Sequence, residues 1–314
     1  MPDVSVIVAC YNGAETLGET LESLTAQLWD GSWEILLADN GSTDASAALF
    51  ADHARRHPRI PMRRVDAGAE RGKPAALNVG LAAARGRAFL FCDSDDTVPP
   101  DWLAAMAAAL ARHDFVAASI DSGTLNQGWV RAYRSRDQQR DGLRRLTHAP
   151  WCPIAGGGEL GFTRRLYEAV GGFDPAFAVQ EDHDFCIRAH LAGFELQPVP
   201  ETRYNYRFRA DFGEIYRQAY VYARYRALLR KRYAPEPLLA PVPWLDLSRR
   251  ILRLGGSRAM AALSRAQPPL ERARFNVMLG QALGEAAGAI AFRVAPPRPR
   301  PARAALTPQP QPHG

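Results

Sequence analysis

The sequence predicts an α/β protein, a mostly parallel sheet with helices packed on both faces. Short apolar runs rich in β-branched residues alternate with helix-length segments from Val4 to Asp93, a βαβα series whose right-handed crossovers generate such a sheet. The runs are apolar throughout rather than at every second position, as strands covered on both faces require. Two of them end on carboxylates, Asp39 and Asp93, and the carboxyl ends of parallel strands are where open α/β sheets bind ligands.

Val4 to Ala9 is the first strand, and behind it Leu17, Leu21, Leu24 and Leu28 recur at helical spacing to give one apolar stripe. Trp33 to Asp39 follows as strand, Asp44 to His57 as helix, Met62 to Val65 as a short strand, Pro74 to Arg85 as helix and Ala88 to Asp93 as strand. Pro99-Pro100-Asp101-Trp102-Leu103 opens a helix that runs to Arg112, and Phe115 to Ile120 is another strand. Regularity falls away between 121 and 160. Arg164 to Val170 and Asp182 to Leu191 read as short helices, Glu195 to Val199 as a strand, and Phe212 to Tyr233 as a basic, aromatic helix. Pro235 to Pro243 is a proline-punctuated linker before two apolar and basic stretches near 244 to 265 and 270 to 293. The remaining Pro, Arg, Ala and Gln cannot bury enough apolar surface to order themselves, which predicts a disordered tail over 294–314.

A chain of 314 residues, 47% hydrophobic, can bury a full core. Its net charge of +6 comes from basic residues spread along the chain, strengthening only toward the C-terminus. That pattern favours anionic ligands or an anionic membrane surface over a nucleic-acid partner. Cys10, Cys92, Cys152 and Cys186 lie far apart with no CxxC spacing, so neither a zinc site nor a disulfide framework is indicated. No window reaches the roughly 18 apolar residues of a spanning helix, and the first strand begins without a signal-like leader. The expectation is a cytoplasmic protein, or one peripheral at the inner face of the cell membrane.

Asp93-Ser94-Asp95-Asp96 places three carboxylates together where a buried strand ends. Like charges so crowded are accounted for by a hard divalent cation held by oxygen ligands; the other reading is that they cap the following helix. Arg71, Gly72 and Lys73 precede a helix, where positive charge opposes the macrodipole, so an anionic ligand nearby would explain them, as would simple solvation. Asp182 opens a helix beside Glu181, a position suited either to a general base or to an N-cap. His183 reads as a packing residue. Gly156-Gly157-Gly158 permits close backbone approach, as an acceptor pocket or a plain turn would need.

Taken in order, these segments resemble the family 2 glycosyltransferases, nucleotide-sugar enzymes of the GT-A (Rossmann-like) fold, over roughly residues 3 to 208. Val4 through Asn12 resembles the opening strand and nucleotide loop, and Ala38-Asp39-Asn40-Gly41-Ser42-Thr43-Asp44 the second-strand signature. Asp93-Ser94-Asp95-Asp96 is similar to the DxD metal motif, and Gly171-Gly172-Phe173-Asp174 with Gln180-Glu181-Asp182 to the acceptor segment and catalytic acid pair. The resemblance implies that Ala9, Tyr11, Asn12, Asp39, Arg71, Lys73, Asn78 and Asp93 contact a nucleotide-diphosphate sugar donor. It implies further that Asp95 holds Mg2+ or Mn2+, and that Asp182, with Glu181, serves catalysis. Trp151, Gly157 and Gly158 are the acceptor candidates. Asn40 stands where the family often carries a second acid, and Gln218-Ala219-Tyr220-Val221-Tyr222 does not match the QxxRW of processive members.

The implied activity is inverting transfer of one sugar to a hydroxyl acceptor, glycan, lipid-linked or other, in cell-surface glycan, polysaccharide or glycolipid synthesis. A sugar-1-phosphate nucleotidyltransferase would carry a G-x-G-T-like loop where this chain has Cys10-Tyr11-Asn12-Gly13, and a non-catalytic nucleotide- or glycan-binding protein would carry a broken acid set. The organisation expected is a GT-A catalytic domain over 1–210, with a nucleotide-sugar half (1–120) and an acceptor half (121–210), then a helical basic extension over 211–293. Phe275, Met278, Leu279, Leu283 and Ile290 fall near one helical face of that extension, which would pack on the domain, form a homo-oligomer or lie on a membrane through 244–293.

Overall fold

The computed structural model describes residues 2–134, 143–146, 149–233, 245–249, 251–254, 256 and 268–294. The linker at 235–243 and the tail from 295 lie outside them.

Seven strands form one mixed sheet in the order β3-β2-β1-β4-β8-β5-β9. Strands β1 (Val4–Cys10), β2 (Trp33–Asp39), β3 (Met62–Asp66) and β4 (Ala88–Phe91) are mutually parallel, with β1 at the centre. Helices α1 (Leu17–Thr25), α2 (Ser46–Arg56) and α3 (Lys73–Ala83) connect them. Because the chain leaves β1 toward β2 and returns to its other side as β4, the loops after β1 and β4 diverge from adjacent strand ends and leave a crevice there. Every strand residue of β4 is buried, and β1 and β2 are buried almost throughout, which is why their sequences show no polar alternation.

Beyond α4 (Trp102–Leu110) and β5 (Phe115–Asp121), the sheet turns antiparallel through β8 (Leu160–Thr163), which lies between β4 and β5. This is the irregular stretch of the sequence: it holds α5 (Gly128–Arg134), a small hairpin of β6 (Arg144–Leu146) and β7 (Ala149–Ile154), and a 3-10 turn at Gly157–Glu159. Short strands and turns carry too few periods to be read from one sequence. Helices α6 (Arg164–Val170) and α7 (Glu181–Leu191) follow, and β9 (Gln197–Asn205) closes the sheet edge beside β5, longer than the five residues expected and interrupted by a bulge. A cluster of Phe89, Phe91, Phe115, Phe162, Phe173 and Phe185 fills the core beneath the site.

Packing corrects one expectation and sharpens another. Helix α1 ends at Thr25, so Leu28 leaves the stripe and stands 75% exposed. In the C-terminal region, α8 (Phe212–Tyr233) pairs with α9 (Pro269–Phe292); Phe275, Leu279 and Leu283 of the expected apolar face pack in a cluster with Tyr216, Leu247, Ile251 and Leu254. Met278 and Ile290 are exposed, while Gly280, Gly284 and Gly288 sit against Ala219, Ala223 and Ala227. A Cβ on Gly284 would stand 2.2 Å from the Tyr220 carbonyl oxygen, so the two helices approach as closely as backbones allow. No helix among the described residues is long and apolar enough to cross a membrane.

Candidate active site

The crevice at the ends of β1 and β4 opens into a cleft with two lobes, about 680 Å³ on the sheet side and about 420 Å³ toward α7. Lys73, Asp93, Val179, Tyr206, Gln218 and Tyr222 line both, so the lobes are continuous.

The loop after β1 is fastened to the loop after β2. Asn12, at φ 50°, donates its N–H to Ser42 Oγ (3.0 Å) and accepts from Thr43 N–H (2.8 Å), while Asp44 Oδ2 takes Ala14 N–H (2.9 Å). Ala9, Tyr11 and Asn12 therefore face the larger lobe on a fixed backbone. The Arg71 guanidinium lies 5.0 Å from the Tyr11 ring centroid and backs this wall. Asn40 ties the same region down: its carboxamide donates to the Ala67 and Glu70 carbonyls and accepts from Gly72 N–H.

Asp39 is fully buried, salt-bridged to Arg64 (2.7 Å) and accepting Ser42 N–H (2.9 Å). Burial opposes its charge, but those hydrogen bonds outweigh it and hold the carboxyl below the usual range. In this structure it braces the turn, and Asn40 lines the cleft in its place. Asn78 is likewise committed elsewhere, exchanging two hydrogen bonds with the Phe173 backbone (2.7 and 2.8 Å) and so joining α3 to the segment before α7. Trp151 is 43% exposed beside His190, with ring centroids 5.3 Å apart, and does not line either lobe.

The three acids after β4 separate by environment, although their oxygens lie within 4.8 Å of one another. Asp96 is buried and accepts from Tyr204 Oη–H (2.9 Å) and Arg207 N–H (2.6 Å); Tyr204 Oη in turn accepts Asp93 N–H (2.9 Å), which fixes the turn. Burial, then the charges of Asp95 and Asp93, pushes Asp96 well above the carboxylate range. Asp93 and Asp95 face the cleft, paired with Lys73 (2.6 Å) and Arg209 (2.7 Å). Burial works against the Lys73 charge, yet Asp93 and Glu181 together hold its pKa well above that of an ordinary lysine. This pairing is why a cation at the start of α3 is tolerated.

Across the cleft, Gln180 adopts a left-handed conformation (φ 70°) and sets the first turn of α7 facing the smaller lobe. Such a backbone in a non-glycine residue is uncommon and is held here by burial and by the Gln180 Oε1 to His183 Nδ1 hydrogen bond (2.8 Å). Burial drops His183 to about 4, so it is a neutral brace. Asp182 accepts Gly157 N–H (2.9 Å) and His183 N–H (2.7 Å). Gly157 leaves room for both Lys73 and Asp182, and Gly158 lies so near Tyr204 that a Cβ would meet its hydroxyl at 2.2 Å. Glu181 is buried beside Asp182, and burial followed by that charge raises it to about 8 against the opposing pull of Lys73.

The fourth wall was not anticipated from the sequence. Gln218, Tyr222 and Arg226 occupy one face of α8 at i, i+4 and i+8 and line the cleft, while Ala219, Ala223 and Ala227, one residue on, receive α9. Arg207, Arg209, Arg144 and Glu159 were also missed. The basic and aromatic composition of 203–233 was the one visible signal for those within it, and Arg144 and Glu159 had none.

The family model described as glycosyl transferase family 2 matches residues 5–171, more than half of the chain. The chain belongs to that family. Succinoglycan biosynthesis protein ExoO of Rhizobium meliloti is 31% identical over 222 residues, which span 67% of this chain and 62% of that protein. Putative glycosyltransferase EpsH of Bacillus subtilis is 37% identical over 219 residues, 66% of this chain and 61% of that one. The match thus spans less than two thirds of either bacterial relative. Among solved structures, mannosyltransferase PcManGT from Pyrobaculum calidifontis, in complex with GDP-Man and Mn2+, aligns over 90% of this chain and 86% of its own with a TM-score of 0.61 at 22% identity. S. aureus TarS with UDP-GlcNAc aligns over 93% and 92%, with a TM-score of 0.52 at 18% identity. This family 2 chain therefore has the fold its sequence predicted, a mostly parallel sheet flanked by helices with a helical C-terminal region.

Proposed function

We propose that this chain is an inverting, metal-dependent glycosyltransferase that moves one sugar from a nucleoside diphosphate sugar to a hydroxyl acceptor in cell-surface glycan, polysaccharide or glycolipid assembly. The observation that carries the reading is the continuity of the cleft: the Asp93 and Asp95 carboxylates on the sheet side and Asp182 on α7 open into connected lobes joined at Lys73. The relatives' names and the nucleotide sugars bound by the two solved structures support it.

The metal candidates fit a hard cation, since all are carboxylate oxygens within 4.8 Å and Asp93 and Asp95 face the larger lobe. Asp95, assisted by Asp93, would hold Mg2+ or Mn2+, and the ion when bound would neutralise charge on the leaving diphosphate. Tyr11, Asn12 and Asn40 line the lobe for the nucleoside, and Lys73 adds positive charge where the two lobes meet. Asp182 takes the acceptor proton as the acceptor oxygen bonds to the anomeric carbon, and the electron pair of the breaking glycosyl–phosphate bond leaves with the nucleoside diphosphate. One displacement inverts the anomeric centre. Glu181, raised to about 8, holds its proton near neutral pH and is the poorer base of the pair. The basic C-terminal region fits work at the inner face of a membrane, where lipid-linked acceptors lie.

The test is a panel of nucleotide sugars incubated with the protein and simple glycosides, scored for nucleoside diphosphate release and for the anomer formed. Release from one donor with an inverted product is expected. A retained anomer removes the single-displacement mechanism, and no release from any donor removes the transferase reading.

A further inference from the structure

The residues that line both lobes of the cleft are Lys73, Asp93, Val179, Tyr206, Gln218 and Tyr222, so a ligand that spans the lobes passes between them. Val179 is apolar, Lys73 and Asp93 pair with each other at 2.6 Å, and Gln218 Nε2 donates to Tyr206 Oη at 3.4 Å. The Tyr222 hydroxyl has no hydrogen-bond partner among the described residues. It is not sealed in the interior either: Tyr222 is half-buried, on the face of α8 that forms the cleft wall.

The charges that act on this hydroxyl come from the other walls of the junction, Asp182 and Glu181 in the first turn of α7, Lys73 at the start of α3 and Asp93 in the turn after β4. Burial first, then the carboxylates against the pull of Lys73, pushes it up to about 12, so near neutral pH it is an uncharged phenol. Such a group both donates and accepts, as a sugar hydroxyl does, whereas the charge of a diphosphate is better met by cations. In a single displacement the anomeric carbon lies between the oxygen it leaves and the oxygen that attacks it. With the diphosphate beside Asp93 and Asp95 and the acceptor hydroxyl at Asp182, the transferred sugar occupies the junction that Tyr222 lines.

We propose that Tyr222 recognises the transferred sugar: its hydroxyl hydrogen-bonds one hydroxyl of that sugar and so favours donors that carry a hydroxyl at that position. The assignment rests on the transferase reading above and adds a specificity-determining residue to it.

The experiment compares the full chain with its Tyr222→Phe variant, which keeps the ring on α8 and removes only the oxygen. Calorimetry measures binding of the nucleotide sugar selected by the donor panel, of its nucleoside diphosphate alone, and of its monodeoxy sugar analogues. Affinity of the variant for the nucleotide sugar is expected to fall roughly three- to tenfold, the scale of one neutral hydrogen bond, while the nucleoside diphosphate binds as it does to the wild-type protein. One deoxy analogue should bind both proteins alike, because the variant then has no contact left to lose, and that analogue identifies the sugar hydroxyl concerned. An equal loss for the diphosphate alone assigns Tyr222 to the phosphates and overturns the proposal. So does a loss of kcat common to every analogue with sugar binding unchanged, which would make Tyr222 a positioning group for Asp182, and so does no loss at all. If the panel finds no donor, the transferase reading fails; binding of UDP-glucose and GDP-mannose relative to UDP and GDP by the two proteins then decides the sugar contact, and equal ratios overturn it.

Discussion

On the sheet side of the cleft Asp93 and Asp95 face the larger lobe beside Lys73 and Arg209, whereas on the helix side Glu159 and Glu181 are buried, and burial raises them to about 7 and 8 against the pull of Arg144 and Lys73. The same functional group is thereby put to two uses. Asp93 and Asp95 stay accessible beside their cations; the two glutamic acids of the smaller lobe are desolvated, which favours their neutral form. Asp182 is intermediate in its partners, with backbone N–H groups rather than side-chain cations on its oxygens.

Removing that intermediate group should have the largest effect. Asp182→Asn keeps size and most hydrogen bonding but loses the base, and turnover should fall by roughly 10²- to 10⁴-fold while calorimetry still detects nucleoside diphosphate binding. Wild-type turnover in this variant would move the base off α7. On the charged side, Asp95→Ala should cost roughly 10²- to 10³-fold in transfer, and chelator should have a similar effect on the wild-type protein. Full activity in chelator would remove the metal and leave Arg209 and Lys73 as the charge partners of the diphosphate.

The smallest effect sharpens the comparison through stability. Glu181 has its carboxyl raised from 4.5 to about 8, so between those values the folded chain binds more protons than the unfolded one. Stability from this group is full below the unfolded value and is lost as pH rises through the folded one. Denaturant titrations from about pH 5 to about pH 9 should show this decline, and Glu181→Gln should flatten it. An unchanged slope would mean that Glu181 is ionised in the folded protein.

Several residues that line the cleft were legible because their signals are local. Lys73 heads a helix, the acids of 93–96 end a strand, and Glu181 and Asp182 open a helix, all features of contiguous sequence. Others that share those local features proved to be committed elsewhere. Asp39 ends a strand before a glycine turn, as a nucleotide-contacting acid would, and only the arrival of Arg64 from β3 shows that its charge is already used.

The sequence by itself determined the strands from Val4 to Asp93, the helices between them and the strand ends at which acids cluster, because side-chain periodicity and turn chemistry are properties of neighbouring residues. Tertiary structure decided which of those acids are buried and which wall faces them. Arg209 reaches Asp95 across 114 residues, Phe173 captures Asn78 across 95, and the glycines of α9 find the alanines of α8 from the far side of the linker. Such meetings depend on where the crossovers set each element down, and burial, which moves the carboxyls of Glu159 and Glu181, exists only once they have done so.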